Sequence, residues 1–408
     1  MHIAELRLVN FRSYGDVRVS FRPGVNVIVG RNASGKTNLL EGAFFALRAA
    51  SCRTNREEKA VRWGAAFTRV EATLADAAGA HGPRRTTSVA YAPGQGKQVR
   101  LDGAEVRSLD ELRRQGNAFV FVPESLLLVK GSPARRRAHL DAFAAAVDLA
   151  YDAALRELQE ALRQRNAQLA RVREGGPPSA LGPWDVQVAR AGLALAERRR
   201  GVVRALAPRF AEFAAGLAPD GGHFELSLVT QLDAIEPTEA SFVAALVSRR
   251  GGDVARATTG FGPQRDDVRF AEARAEGEDG GALPADEPRQ RDLRLFGSQG
   301  EQRAAVLALL LAERAVAEEI TGDRGTLLLD DVMSELDDAR RRLLVRVLSA
   351  GGQAIVTTTN RHYFTDEELV GAHVIALGPE ATGGGSAPRD PGPDEADGEL
   401  AVTETRRG

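Results

Sequence analysis

A chain of 408 residues with 43% apolar and 27% charged side chains can build one large discontinuous core or two to three smaller ones. Its formal net charge of −2 gives the whole molecule no pull toward a polyanion, so such a partner would have to be met by local clusters. The single cysteine, Cys52, excludes an internal disulfide, and the histidines at 2, 81, 139, 223, 362 and 373 show no metal-ligand spacing.

In chain order, the opening MHIAELRLVNFRSY alternates apolar and charged residues and lacks the apolar centre of a signal peptide. No apolar run approaches the ~18 residues of a membrane span, so a cytoplasmic protein without a membrane partner is expected. Up to about residue 120 the pattern is strand-rich: IAELRLV, VRVSF, VNVIV, FTRVEATLA, TTSVAYA, KQVRLDG and NAFVFV, separated by Gly, Pro and Asn turns. One helix interrupts it, over Thr37–Ala50. Apolar residues then recur at three and four spacing through 139–217, broken by EGGPPSALGP, which predicts an antiparallel pair of helices ~45 Å long. Strands follow at FELSLV and DVRFAE, then a long loop at 272–291, a strongly apolar helix after FGSQGEQR, and the strands TLLLDD and QAIVTTT. The residues 379–408 are Gly/Pro-rich and acidic, the composition of a disordered tail.

Chemistry is concentrated in three places. GRNASGKT, residues 30–37, fits a phosphate-binding loop and lies between a predicted strand and a predicted helix, the context such a loop requires. The backbone of Gly30, Arg31, Asn32, Ala33, Ser34 and Gly35 would close around phosphates, Lys36 would reach the β and γ phosphates, and Thr37 would bind Mg²⁺. That lysine persists in a chain whose only other lysines are Lys59, Lys97 and Lys130, an arginine bias that reads first as coding composition. LLLDD, residues 327–331, is an apolar strand ending in two acids: Asp330 would enter the Mg²⁺ shell and Asp331 would polarise a water. In FGSQGEQR, Gly297 and Gly300 permit close backbone approach and Ser298 can cap the helix that follows. With one phosphate site already at 30–37, a second anion-binding helix start points to the γ-phosphate of a second copy, hence a composite site closed by dimerisation.

Together these residues resemble the ABC-type ATPase heads of the SMC-like group and, within it, the RecF family of bacterial recombination mediators. LRLVNFRSY is similar to that family's opening strand, VPESLLLVKGSPARRRAHLD (122–141) to its Lys-Gly-Ser-Pro and Arg-Arg segment, and FGPQRDD (261–267) to its Gly-Pro-His-Arg-Asp-Asp element. SQGEQR is similar to the signature loop, LLLDDVMSELD to Walker B and the D-loop, and VTTT to the strand replacing the usual switch histidine. The resemblance covers residues 1 to about 378. It implies an α/β fold: a P-loop NTPase head over 1–138 and 218–378 with an antiparallel β lobe, and an inserted helical hairpin lobe over 139–217. It adds Arg12 to the ATP-binding residues, assigns Ser298, Gln299 and Gly300 to a signature acting in trans, Ser334 and Asp337 to the D-loop, and Thr358 to the switch position. Two departures stand out: Gln264 where histidine is usual, to which no role is given, and Glu301 where glutamine is common, which adds negative charge beside the signature.

What the resemblance implies about function is a homodimer holding two ATP molecules, slow hydrolysis, and ATP-dependent binding of duplex DNA and single-strand/double-strand junctions. It further implies partnership with RecR and RecO in placing RecA on gapped DNA. Among the arginine clusters, only Arg135, Arg136 and Arg137 gain from the resemblance as DNA contacts, directed at the backbone and therefore salt-sensitive. Arg163/Arg165, Arg171/Arg173, Arg198–Arg200 and Arg249/Arg250 read mainly as solvated helix faces. An SMC-like DNA-bridging ATPase is disfavoured by the short helical pair without sustained heptads. A non-hydrolysing adaptor glued by ATP remains the alternative.

Overall fold

Alternating apolar and polar residues make β1 (His2–Phe11) and β2 (Tyr14–Ser20), antiparallel neighbours joined through Arg12 and Ser13. The computed structural model describes residues 1–54, 56–76, 84–218, 222–273 and 290–378. They divide into two units, one formed by Met1–Ser125 with the chain from Glu313 onward, the other by Leu126–Ala312.

In the first unit β3 (Val25–Gly30) runs through the glycine loop into α1 (Lys36–Arg48). Then come β4 (Thr68–Ala75), β5 (Arg84–Ala92), β6 (Gly96–Leu101), β7 (Ala104–Glu105), α2 (Leu109–Arg113) and β8 (Ala118–Phe121). Strands β2-β1-β4-β5-β6-β7 form an antiparallel sheet. Helix α1 buries Leu39, Leu40, Ala43, Phe45, Ala46 and Leu47, and one continuous core joins them to Leu6, Leu8 and Phe11 of β1 and to Ile28 of β3. A helix apolar nearly all round has to be covered on both sides, which fixes α1 between layers.

The second unit begins with α3 (Leu127–Lys130), α4 (Pro133–Val147), α5 (Leu149–Arg173) and α6 (Gly182–Leu217). The expected single helix through 139–172 is broken at Asp148, whose carboxylate accepts the Ala150 N–H and starts α5 afresh. Beyond lie β9 (His223–Val229), α7 (Glu239–Ser248), α8 (Arg250–Arg256), β10 (Asp267–Ala273), β11 (Gln290–Asp292), α9 (Leu293–Phe296) and the start of α10 (Gln299–Thr321). Strands β11-β10-β9 form a small antiparallel sheet. Buried Tyr151, Leu158, Val188, Leu195, Phe242 and Phe261 supply this unit's own core. The unit is therefore larger than the expected hairpin lobe at 139–217: α4 and residues 218–312 belong with the helical pair, because β10 and α7 pack on its helices. Helices α7 and α8 had no counterpart in the sequence reading.

The chain closes the first unit with β12 (Thr326–Asp330), α11 (Asp338–Ser349), β13 (Gln353–Thr358), α12 (Asp366–Leu369) and β14 (His373–Leu377). These complete a parallel sheet in the order β14-β3-β13-β12-β8, with Leu327, Leu328, Leu329 and Val356 fully buried. Strand β3 is thus flanked on both sides, and its carboxyl end opens onto the glycine loop where ligands bind in such sheets. The tail at 379–408 and most of the 272–291 loop lie outside the described residues.

Candidate functional site

The glycine loop is shaped by two close approaches. Gly35 lies at φ 95° and a Cβ there would meet Tyr14 Oη at 2.6 Å, while Tyr14 donates to the Gly35 carbonyl at 3.1 Å. At Gly30 a Cβ would fall 2.6 Å from Ser34 Oγ. Helix α1 starts with no side-chain cap and no acid in its first turn, so its positive end faces the loop uncompensated. Lys36 Nζ donates to the carbonyls of Gly30 at 2.6 Å and Arg31 at 2.9 Å, folding over the cradle. Burial lowers its pKa, and Asp331 and Asp330 partly offset this. Ser34 Oγ is buried without a hydrogen-bond partner. Such an orphaned group at the uncapped start of a helix suits an anion.

The two expected carboxylates meet this loop. Asp330, at the end of β12, accepts from Thr37 Oγ1 at 2.7 Å through one oxygen and from Thr357 Oγ1 at 2.7 Å through the other. Asp331 lies in the left-handed region at φ 48°, and its Oδ1 is buried without a partner. Burial raises its pKa and Asp330 adds to the rise, against Ser334 and Lys36. A hydroxyl and a single carboxylate are the oxygen donors Mg²⁺ uses when it also takes phosphates and water. No cluster of three His, Cys, Asp or Glu side chains suited to another metal occurs among the described residues. Thr37 and Asp330 would hold Mg²⁺, whose chemistry is to neutralise phosphate charge.

Other expected residues are placed differently. Arg12 is committed to Glu41 of α1, by Nε at 2.9 Å and Nη2 at 2.5 Å, and to the Lys59 carbonyl. Glu41, fully buried, also accepts from Ser51 Oγ, so this network ties Arg12 to α1, the helix that follows the glycine loop. Thr358 is fully buried with its hydroxyl tied to the Asn360 carbonyl. Its neighbour Thr357 is the one that touches Asp330. Ser334 Oγ donates to the Asp331 carbonyl at 2.8 Å, and Asp337 caps α11 by accepting the Arg340 N–H at 2.9 Å.

The arginine triplet divides. Arg135 is exposed, but Arg136 is buried, forks onto Asp267 at 2.6 and 2.8 Å, and donates to the carbonyls of Val129 and Gly131. Arg136 is therefore a structural ion pair and not a surface phosphate contact. Arg137 is half-buried and donates to the Asp266 carbonyl. Two arginines read as solvated are also inside: Arg165 meets Asp185, Asp253 and Thr259, and Arg199 meets Tyr151, Asp141, Asp266 and the Pro263 carbonyl. FGPQRDD is thus a polar hub between α4 and α6. Gln264 within it donates to the Phe261 carbonyl at 2.8 Å.

In the second unit Ser298, Gln299 and Gly300 are exposed at the head of α10. Ser298 does cap its own helix: its Oγ accepts the Glu301 N–H at 3.2 Å while Glu301 Oε2 accepts the Ser298 N–H at 2.5 Å. Glu301 Oε1 in turn takes Arg291 of β11, which also donates to Glu272 at 2.7 Å and to the Phe296 carbonyl at 3.1 Å. Burial pushes the Glu301 carboxyl up, but the Ser298 N–H and Arg291 more than offset it and hold it below the ordinary range. Among the described residues, Gln302 adds a buried bond from Nε2 to the Leu293 carbonyl at 2.8 Å, fixing α9 against the head of α10.

A phosphate loop at the end of a central parallel strand, its threonine on the last acid of the adjacent Walker B strand, beside an antiparallel sheet, defines an ABC-type ATPase head. The comparisons agree: the family described as RecF/RecN/SMC N terminal domain matches residues 2–375. The DNA replication and repair protein RecF of Heliobacterium modesticaldum is 35% identical over 382 residues, covering 92% of this chain and 97% of that one. The chain belongs to the RecF family. Among solved structures, the recombination mediator protein RecF-ATP of the RecFOR pathway matches with a TM-score of 0.77 and 26% identity, covering 93% and 96% of the two chains. An Smc head bound to the C-terminal winged-helix domain of ScpA shares the fold at a TM-score of 0.52 and 18% identity. No helix among the described residues is long and apolar enough to cross a membrane.

Proposed function

We propose that this protein is a weak, Mg²⁺-dependent ATPase whose ATP-bound form dimerises on DNA in recombinational and replication-gap repair. The observation that carries this is the Thr37–Asp330 hydrogen bond beside the orphaned Asp331 oxygen and the folded-over Lys36, which together form half of a nucleotide site. ATP phosphates occupy the cradle of residues 30–37 and displace Lys36 from the two carbonyls. Thr37 and Asp330 hold the Mg²⁺, and Asp331 accepts a proton from the attacking water. The exposed Ser298, Gln299 and Gly300 of a second copy complete the site, a reading supported by their exposure at the head of α10. Arg135, and Arg137 in part, contact the DNA backbone; junction preference and cooperation with RecR, RecO and RecA rest on family membership alone.

Two substitutions test the division of labour. Asp331→Asn keeps ATP binding and is expected to lower turnover by about a hundredfold, the scale of a lost general base; unchanged turnover removes the water-polarising role given to Asp331, whereas a wild-type protein that binds ATP without turnover favours the non-hydrolysing adaptor. Ser298→Arg leaves the phosphate loop intact, so ATP affinity by calorimetry is retained, while dimers in sedimentation with ATP disappear. A Ser298→Arg protein that dimerises normally removes the composite site.

A further inference from the structure

Two features that the phosphate loop and Walker B strand leave unexplained meet at one point. Glu301 places a carboxylate in the first turn of α10, beside the turn of Ser298, Gln299 and Gly300, and the 272–291 segment ends in a strand, β11, that delivers Arg291 onto that carboxylate. A bare carboxylate there would repel an incoming γ-phosphate, since two anions about 5 Å apart at a partly wet surface oppose one another by a few kcal/mol. Arg291 cancels that charge. The same carboxylate holds the Ser298 N–H, and the Glu301 N–H is received by Ser298 Oγ. With its oxygen accepting from Glu301, the Ser298 hydroxyl proton is left as the donor directed away from its own helix.

We propose that Arg291 and Glu301 form a charge-compensated clamp: Glu301 fixes the Ser298 hydroxyl as an outward donor, and Arg291 removes the electrostatic penalty of having an acid beside the partner's ATP. Arg291 is thus a positioning residue that sets the nucleotide concentration at which two copies close. This rests on the composite-site reading above. The Ser298 N–H and Arg291 hold the Glu301 carboxyl below its ordinary range, which favours the ionised form that calls for compensation.

The test is a double-mutant cycle read as mass by light scattering against ATP concentration, with ATP affinity of each variant measured by calorimetry. Arg291→Ala is expected to raise the ATP concentration for half-dimerisation by about tenfold, with the shift shrinking in 0.5 M salt. Glu301→Gln keeps the capping geometry without the charge and is expected to lower that concentration about threefold. The double variant is expected to return to within about threefold of the wild type, whereas a purely structural Arg291 would leave it as defective as Arg291→Ala alone. Should Arg291→Ala fold poorly, the Glu301→Gln shift still decides, a raised midpoint contradicting the clamp. Wild-type protein that dimerises with ATP but is indifferent to Arg291→Ala, or is not rescued in the double variant, overturns the clamp alone. Wild-type protein that stays monomeric at saturating ATP overturns the composite site and the clamp together.

Discussion

Lys36→Ala is expected to lower ATP affinity by a hundredfold or more while leaving the melting temperature unchanged or slightly raised. The ammonium is buried, and in the structure its contacts are the carbonyls of Gly30 and Arg31, which are substitutes for phosphate oxygens. Transferring it to two phosphates forms charge-assisted bonds of about 1.5–3 kcal/mol each, and about 3 kcal/mol in all corresponds to about a hundredfold in Kd. In the protein without nucleotide the burial penalty of this cation outweighs its attraction to Asp331 and Asp330, so its removal costs the fold little. Calorimetry with ATP and a thermal melt separate the two effects: an affinity within about threefold of the wild type refutes the role given to Lys36.

The second large effect concerns the second unit's stability. Arg199 is buried to within 1% of full coverage and neutralises Asp266 and Asp141 from the middle of α6. Burial raises the pKa of Asp266, with Arg199 acting against the rise. Arg199→Ala leaves two acids without their cation and is expected to cost about 3–5 kcal/mol, a fall on the order of 10 °C in the melting of a unit this size. A fall below about 3 °C would show that water or Arg137 takes over the charge. Arg200→Ala, one residue along and paired with the exposed Asp233, is the control and is expected to change little.

That contrast explains what could and could not be read from the sequence. The glycine loop and the LLLDD strand were legible because each is local: a strand, a turn and a helix start carry their own geometry within a few residues. The family resemblance then supplied the architecture. Which arginine of a run points inward was not legible, because neighbours on a helix diverge by about 100° and only the partner on another element decides the face. Arg135 is out and Arg136 is in for that reason, its partner Asp267 being 131 residues away. Thr357 and Thr358 illustrate the same limit in a strand, where one step changes the face: β13 pairs Asp330 with Thr357, leaving Thr358 on the other side. The alternation could have identified Thr357 once the pairing of TLLLD with QAIVTT was assumed. Glu41 with Arg12, and Arg291 with Glu301, had no such signal. The extent of the second unit was not legible because periodicity marks helices, not the strand β10 that packs on them.

The most direct test of the central claim is the mass of the wild-type protein by light scattering, without nucleotide and with a saturating, slowly hydrolysed ATP analogue plus Mg²⁺. The account predicts one chain's mass without nucleotide and twice that mass with it. A mass that stays at one chain, in protein that binds gapped duplex DNA at full strength, would contradict it.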